Sequence, residues 1–120
     1  MSIEGLKKRY MRFAIDSAVL ISKLPKNTIN NAYCNQLIRS SSSPGANYRA
    51  ACRAKSTADF INKLKIVEEE LDECLYFFEL LHHFNPSFED QFIKLSNENK
   101  ELLAITVQSL KTSRANLKKV

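Results

Sequence analysis

Apolar residues recur along most of the chain at alternating spacings of three and four, the period of an amphipathic α-helix. The pattern is clearest between residues 56 and 83, where it is carried by Phe60, Leu64, Val67, Leu71, Cys74, Phe78 and Leu81. Ser56 precedes this run as a candidate N-cap, and Asp59 follows at the position of a capping-box acid. The pattern therefore predicts a helix over residues 56–83 that buries one face.

The same period appears in three further segments and predicts helices over about residues 3–24, 28–54 and 87–116. The buried stripe of the first is expected to comprise Leu6, Tyr10, Phe13, Ser17, Leu20 and Leu24. Short connections force neighbouring helices to run antiparallel. The four segments predict one all-α domain, residues 1–120, folded as an antiparallel up-down four-helix bundle.

The second segment contains a possible break at Pro44 and Gly45, which follow four serines. Proline removes a backbone donor and ordinarily ends or kinks a helix. Small and polar residues nevertheless keep one face in register beyond it. We therefore favour a continuous helix with a kink at Pro44, and two helices separated by a loop is the alternative.

Composition narrows the function classes. With 120 residues the chain is too short for a multidomain enzyme, and its two glycines are too few for a glycine-rich phosphate loop. Its three cysteines are odd in number and widely spaced, and its two histidines are adjacent, which argues against a disulfide framework, a zinc site or a catalytic cluster. No apolar run approaches the ~20 residues that span a membrane. We expect a cytoplasmic protein without enzymatic activity, cofactor, metal or membrane partner.

The net charge of +5 hides a strong polarity along the chain. Residues 1–66 carry twelve basic and three acidic residues, residues 67–107 carry two and ten, and residues 108–120 carry four basic residues and no acidic one. A basic surface of this kind can neutralise nucleic-acid phosphates. Alternatively, basic and acidic faces of identical chains can meet head-to-tail and close a ring. The plainest interpretation is a solvated charged surface.

Two groups of residues on the predicted second helix are candidates for function. Arg39, Arg49 and Arg53 fall on one stripe, and arginine suits bidentate phosphate contact. The full set of predicted nucleic-acid-binding residues is Lys7, Lys8, Arg9, Arg12, Arg39, Arg49, Arg53, Lys118 and Lys119. The polar residues expected on the inner face of this helix are Gln36, Ser40, Ser43 and Asn47. For these we favour a structural hydrogen-bond network over a ligand site.

Three stretches carry a family resemblance: QLIRSSSSPGANY at residues 36–48, DFINKL at residues 59–64 and ELDECLYFFELL at residues 70–81. With them the chain resembles the bacterial four-helix-bundle family that includes proteins encoded by intervening sequences in large-subunit ribosomal RNA genes. The family also includes the accessory variability determinants of diversity-generating retroelements. The resemblance covers about three-quarters of the chain and is weakest in the last helix.

This resemblance implies a bundle that assembles into a ring, commonly a pentamer, with no known catalytic activity. In the retroelement branch a basic surface engages nucleic acid and a partner reverse transcriptase. The matched residues that the resemblance suggests are structural or interfacial are Arg39, Ser40, Asn47, Asp59, Lys63, Glu70 and Glu73. This chain departs from the family pattern at Arg49, Lys65, Glu69 and Phe77. Its surface charge is therefore rearranged, and a retroelement role does not carry over.

Overall fold

The computed structural model of the protein describes residues 1–118, which form four α-helices and no strand. The helices are α1 (Ile3–Lys23), α2 (Thr28–Cys52), α3 (Thr57–Phe84) and α4 (Glu89–Lys118), with a short 3-10 turn at Pro86–Phe88 before α4. The prediction of an all-α protein with four helices is confirmed.

Polar side chains cap the starts of the first three helices. Ser2 accepts from the backbone N–H of Gly5 at 2.9 Å, and Asn27 caps α2 in the same way. Ser56 caps α3 by accepting from the N–H of Asp59 at 3.1 Å, as the sequence predicts. The Asp59 carboxylate reaches back to the N–H of Lys55 at 3.1 Å, so Asp59 fixes the entry into α3.

α2 runs without interruption through a buried proline, so the two-helix alternative is not adopted. Pro44 cannot donate to the carbonyl of the preceding turn. Serine hydroxyls on the same turns bond back to helix carbonyls, Ser40 to Gln36 at 3.1 Å and Ser41 to Ile38 at 3.4 Å. α2 ends at Cys52, short of the predicted end at residue 54.

The helices pack in antiparallel fashion around a shared core. The first half of α1 packs against the C-terminal halves of α2 and α4. The rings of Tyr10 and Tyr48 of α2 pack with their centroids 5.2 Å apart, and the Tyr10 hydroxyl hydrogen-bonds Thr106 Oγ1 of α4 at 3.0 Å. α1 and α2 approach closely at Gly45, where a Cβ atom would lie 3.2 Å from the Cβ of Tyr10. Phe13 and Phe78 contact edge-to-face across the centre, 6.1 Å apart.

The predicted stripes largely form the core. All six predicted residues of α1 are buried, and so are all those of α3 except Phe60, which is half-buried beside the buried Ile61. Some buried positions are polar, however. Ser17 and Asn99 are fully buried, and their side-chain oxygen and nitrogen atoms have no hydrogen-bond partner within the described residues.

Candidate nucleic-acid interface

Three exposed arginines follow one side of α2, and we call them the α2 arginine row: Arg39 and Arg49 in the helix and Arg53 at its C-cap. Ser42 and Ala46 lie between them and are also exposed. The row extends about 21 Å, given a rise of ~1.5 Å per residue. Within residues 1–118, no carboxylate lies within 4.0 Å of these guanidinium groups. Their hydrogen-bond donors therefore face solvent.

Arg9, by contrast, is engaged inside the molecule. Its Nε donates to Glu98 Oε2 at 3.0 Å and its Nη2 to Glu101 Oε2 at 3.1 Å, both on α4. The hydrogen bond with Glu98 raises the pKa of Arg9 further, although partial burial opposes the shift. Arg9 therefore joins α1 to α4.

The other predicted cations of α1 are more accessible. Lys8 and Arg12 are exposed, and Lys7 is half-exposed. Lys7 contacts Glu4 at 3.2 Å and Arg12 contacts Asp16 at 3.8 Å within the same helix. Pairs of this kind at a surface contribute little and exchange easily for other partners.

A shallow groove of about 220 Å³ separates α1 from α2 and brings the two basic surfaces together. Small residues line its α2 side, with Gly45 and Ala46 among them, while Lys7 and Arg49 lie at its margins. Lys118 is exposed at the end of α4, and Lys119 lies outside the described residues. Because α4 runs antiparallel to α1, Lys118 lies at the end of the bundle where α1 begins.

The polar residues of α2 that face α3 act structurally. Asn47 Nδ2 donates to Glu70 Oε1 at 3.1 Å, joining the two helices. Burial raises the pKa of Glu70, while hydrogen bonds from Asn47 and Ser43 partly offset the shift. Ser40 is buried and bonded to its own helix, but Gln36 is exposed, so its predicted place on the inner face is wrong. The rotation of α2 against α3 decides which residues at the margin of this face are covered, and the period of the sequence does not determine that rotation.

The densest run of acidic residues lies on α3. Glu69, Asp72 and Glu73 are exposed along its outer face, and Lys63 is half-exposed one to two turns earlier. α1 and α3 each pack against α2 and α4, and so lie diagonally across the bundle. The basic outer face of α1 and the acidic outer face of α3 therefore point in opposite directions.

The buried Cys74 and the half-buried His82 are both engaged in packing within the bundle. Cys74 is fully buried, and burial raises the pKa of its thiol to about 12. His82 stacks on Phe92 and lies 3.9 Å from Glu89. Residues 1–118 contain no group of three or more His, Cys, Asp or Glu side chains placed to hold a metal ion. In the same range, none of the helices combines the length and hydropathy needed to cross a membrane.

The sequence did not predict a buried amide pair that lies where α2 begins and α3 ends. Asn30 and Asn85 each donate Nδ2 to the Oδ1 of the other at 2.9 Å. The helix-ending signals at Asn85 and Pro86 indicate only where α3 ends. Nothing in the sequence indicates that Asn85 would contact Asn30, which lies 55 positions earlier. The burial of Asn99, by contrast, could have been predicted from the sequence, because Asn99 continues the period of Phe92, Leu95 and Leu102.

Comparisons with known proteins give consistent results. The family model described as 23S rRNA-intervening sequence protein matches residues 6–108. The chain is also similar to the crystal structure of a protein of unknown function from the S23 ribosomal protein family of Bacteroides thetaiotaomicron VPI-5482, with 31% identity and a TM-score of 0.80. That match covers 88% of this chain and 98% of the other. A search of curated proteins finds no match.

Proposed function

The chain belongs to the 23S rRNA-intervening sequence protein family, and we propose that it binds the phosphate backbone of RNA or DNA through the basic surface of α1 and α2. The α2 arginine row is the observation that carries this proposal. Three exposed arginines share one side of α2 and its C-cap, and within residues 1–118 no carboxylate lies within 4.0 Å of their guanidinium groups. Arginine offers paired donors that match phosphate geometry.

The expected mode is recognition of backbone and shape. The sequence carries no signature of a base-reading helix, and small residues separate the arginines of the row. Lys7 and Arg49 flank the α1–α2 groove, where a backbone could approach closely. Binding of this kind releases counterions and therefore weakens steeply with salt.

The test compares the wild type with R39Q/R49Q/R53Q by fluorescence polarisation on a structured RNA and a duplex DNA. The matched control is K94Q/K100Q/K111Q, which removes the same charge from exposed positions of α4. On duplex DNA, losing three phosphate contacts should reduce the slope of log affinity against log salt by roughly 2.7 between about 50 and 200 mM salt. Failure of the folded wild type to bind at low salt, or equal slopes for both variants, would refute the proposal.

We further propose that the chain forms a ring-shaped homo-oligomer, with a pentamer as the size that the family resemblance implies. The support from this chain is the placement of opposite charges on the diagonal helices α1 and α3. A contact between two different surfaces of identical chains repeats around a closed ring. Light scattering at two salt concentrations measures the mass, and an oligomer unaffected by charge reversal at the exposed Glu73 would count against charge-driven assembly. Glu70 does not serve this test, because it is half-buried and bonded to Asn47 within the chain.

The remaining features of the proposal concern partners and chemistry. We propose a non-enzymatic cytoplasmic protein whose further partner is a ribonucleoprotein; the reverse transcriptase of the retroelement branch is not carried over, because the surface charge of this chain is rearranged. The burial of Cys74 supports the absence of thiol chemistry at that position. The alternative is a purely structural module, in which opposite charges serve subunit assembly only. Nucleic-acid binding by the intact oligomer distinguishes the two.

A further inference from the structure

α1 presents a row of apolar side chains to solvent, in addition to the face that it buries. Met11, Ile15 and Val19 recur every four residues and are 50%, 44% and 45% exposed. Lys8 and Arg12 flank them on the same outward face. We call these five residues the α1 ridge. An aligned row of exposed apolar residues with a charged margin is typical of a surface that contacts another protein.

α3 presents a different exposed surface, which combines aromatic and acidic side chains. Tyr76 and Phe84 are exposed, and Phe77 lies between them beside Tyr33 of α2, with ring centroids 5.6 Å from Tyr76 and 6.1 Å from Tyr33. Phe84 lies 6.2 Å from Tyr33 and completes the cluster. Carboxylates extend it by one to two turns towards the start of α3. The α3 strip is defined as Tyr33, Glu69, Glu73, Tyr76, Phe77 and Phe84.

We infer that the α3 strip of one copy binds the α1 ridge of a second copy. The two surfaces complement each other in chemistry: unbranched and branched aliphatic side chains with cations meet aromatic rings with carboxylates. Aromatic side chains at the centre of an interface contribute much of its stability, and opposite charges at its margin fix the register. This inference rests on the proposed self-assembly and specifies which surfaces carry it.

The positions of the two surfaces within the bundle determine the kind of assembly. Because α1 and α3 are diagonal, ridge and strip face opposite ways and one chain cannot satisfy both with the same partner copy. Each copy therefore offers one ridge and one strip to two different neighbours. Such a contact is heterologous and produces a ring when the rotation closes. Lys8 and Arg12, named above among the candidate nucleic-acid contacts, are here assigned to self-assembly. The α2 arginine row adjoins the ridge at the α1–α2 groove, which Met11 and Arg49 both line, and remains as the nucleic-acid surface.

The experiment disrupts each surface separately at an exposed position. Ile15→Asp places a charge in the ridge and Tyr76→Asp places one in the strip, whereas Ile93→Asp changes an equally exposed apolar residue of α4 as the matched control. Circular dichroism confirms that each variant remains helical. In light scattering, we expect monomers for the first two variants and the wild-type mass for Ile93→Asp.

Mixing the two disrupted variants gives the sharper result. The intact strip of Ile15→Asp can bind the intact ridge of Tyr76→Asp, but the other two surfaces are blocked. An equimolar mixture should therefore form heterodimers and nothing larger. Two monomers that fail to combine would overturn the inference.

Other outcomes separate this inference from the proposals on which it rests. A wild type that stays monomeric at every salt and protein concentration overturns both the self-assembly and the ridge–strip contact. An oligomer that persists in both disrupted variants overturns the ridge–strip contact alone. If Ile15→Asp or Arg12→Glu weakens nucleic-acid binding without changing the mass, the ridge belongs to the nucleic-acid surface and the inference is again overturned.

Discussion

The reciprocal amide pair of Asn30 and Asn85 is expected to be a main source of stability at its end of the bundle. Each Nδ2 donates to the partner's Oδ1 at 2.9 Å. The second hydrogen of each amide goes to a backbone carbonyl, that of Pro25 at 2.9 Å and that of Leu81 at 2.8 Å. The pair thereby ties the connection between α1 and α2 to the last turn of α3.

The cost of breaking this pair follows from its hydrogen bonds. Asn85→Ala removes three side-chain bonds and leaves the Oδ1 of Asn30 buried without a donor. A neutral bond contributes about 1 kcal/mol net, and a buried unpaired group costs about 1–3 kcal/mol. Allowing for relaxation, we expect a loss of about 2–4 kcal/mol in the free energy of unfolding. For a chain of this size that lowers the melting temperature by roughly 8–16 °C.

A double-mutant cycle checks this reasoning by urea unfolding followed with circular dichroism. The variants are Asn30→Ala, Asn85→Ala and their combination, with Asn31→Ala as an exposed control from the same turn. We expect the double variant to lose about 1–3 kcal/mol less than the sum of the single losses, because the second substitution removes an already unpaired partner. Additive losses, or a control as damaging as Asn30→Ala, would refute the account.

Three further predictions concern single positions. Glu70→Gln should raise the melting temperature at neutral pH, because burial raises the pKa of Glu70 and the folded state holds its proton more tightly than the unfolded chain. This gain should shrink as the pH falls through the raised pKa of Glu70. Thermal unfolding at several pH values measures the gain, and a gain that does not change with pH would contradict the prediction. Thiol titration of the native protein should modify the two half-buried cysteines and spare Cys74, whose pKa burial raises to about 12; equal rates for all three thiols would argue against this burial. Gly45→Val should cost about 1–3 kcal/mol by overpacking α1 against α2, whereas the exposed Ala46→Val should cost no more than the ~0.7 kcal/mol that a β-branched residue loses in a helix. Equal losses for the two variants in urea unfolding would contradict the close contact at Gly45.

The period of apolar residues predicts the buried faces well, since a helix can satisfy its apolar stripe only by turning it inward. In α1 this holds even for Ser17, which lies on the buried stripe although it is polar. The same argument explains the continuous α2. Its small residues allow close packing on α1 around Pro44, and this tertiary contact outweighs the local preference for a break.

What the sequence does not predict is how polar residues are paired. Gln36 and Ser40 share one predicted face, yet the first is exposed and the second buried. Arg9 lies among four basic residues of α1, but only its contact with Glu98 and Glu101 reveals that it joins two helices. Such pairs are set by the rotation and register of whole helices, which a single stripe does not determine. Charged residues are therefore the hardest to assign from sequence.

The basic residues of α1 and α2 lie in three different environments, so the net charge of the chain does not describe a single basic surface. Arg9 is used within the fold, the α1 ridge combines cations with exposed apolar side chains, and the α2 arginine row combines them with small residues. Protein interfaces need apolar area at their centre, whereas phosphate contact needs accessible donors and room for a backbone. The ridge meets the first requirement and the arginine row meets the second. We therefore expect the α2 arginine row to contact nucleic acid and the α1 ridge to contact a second copy, although their charges are alike.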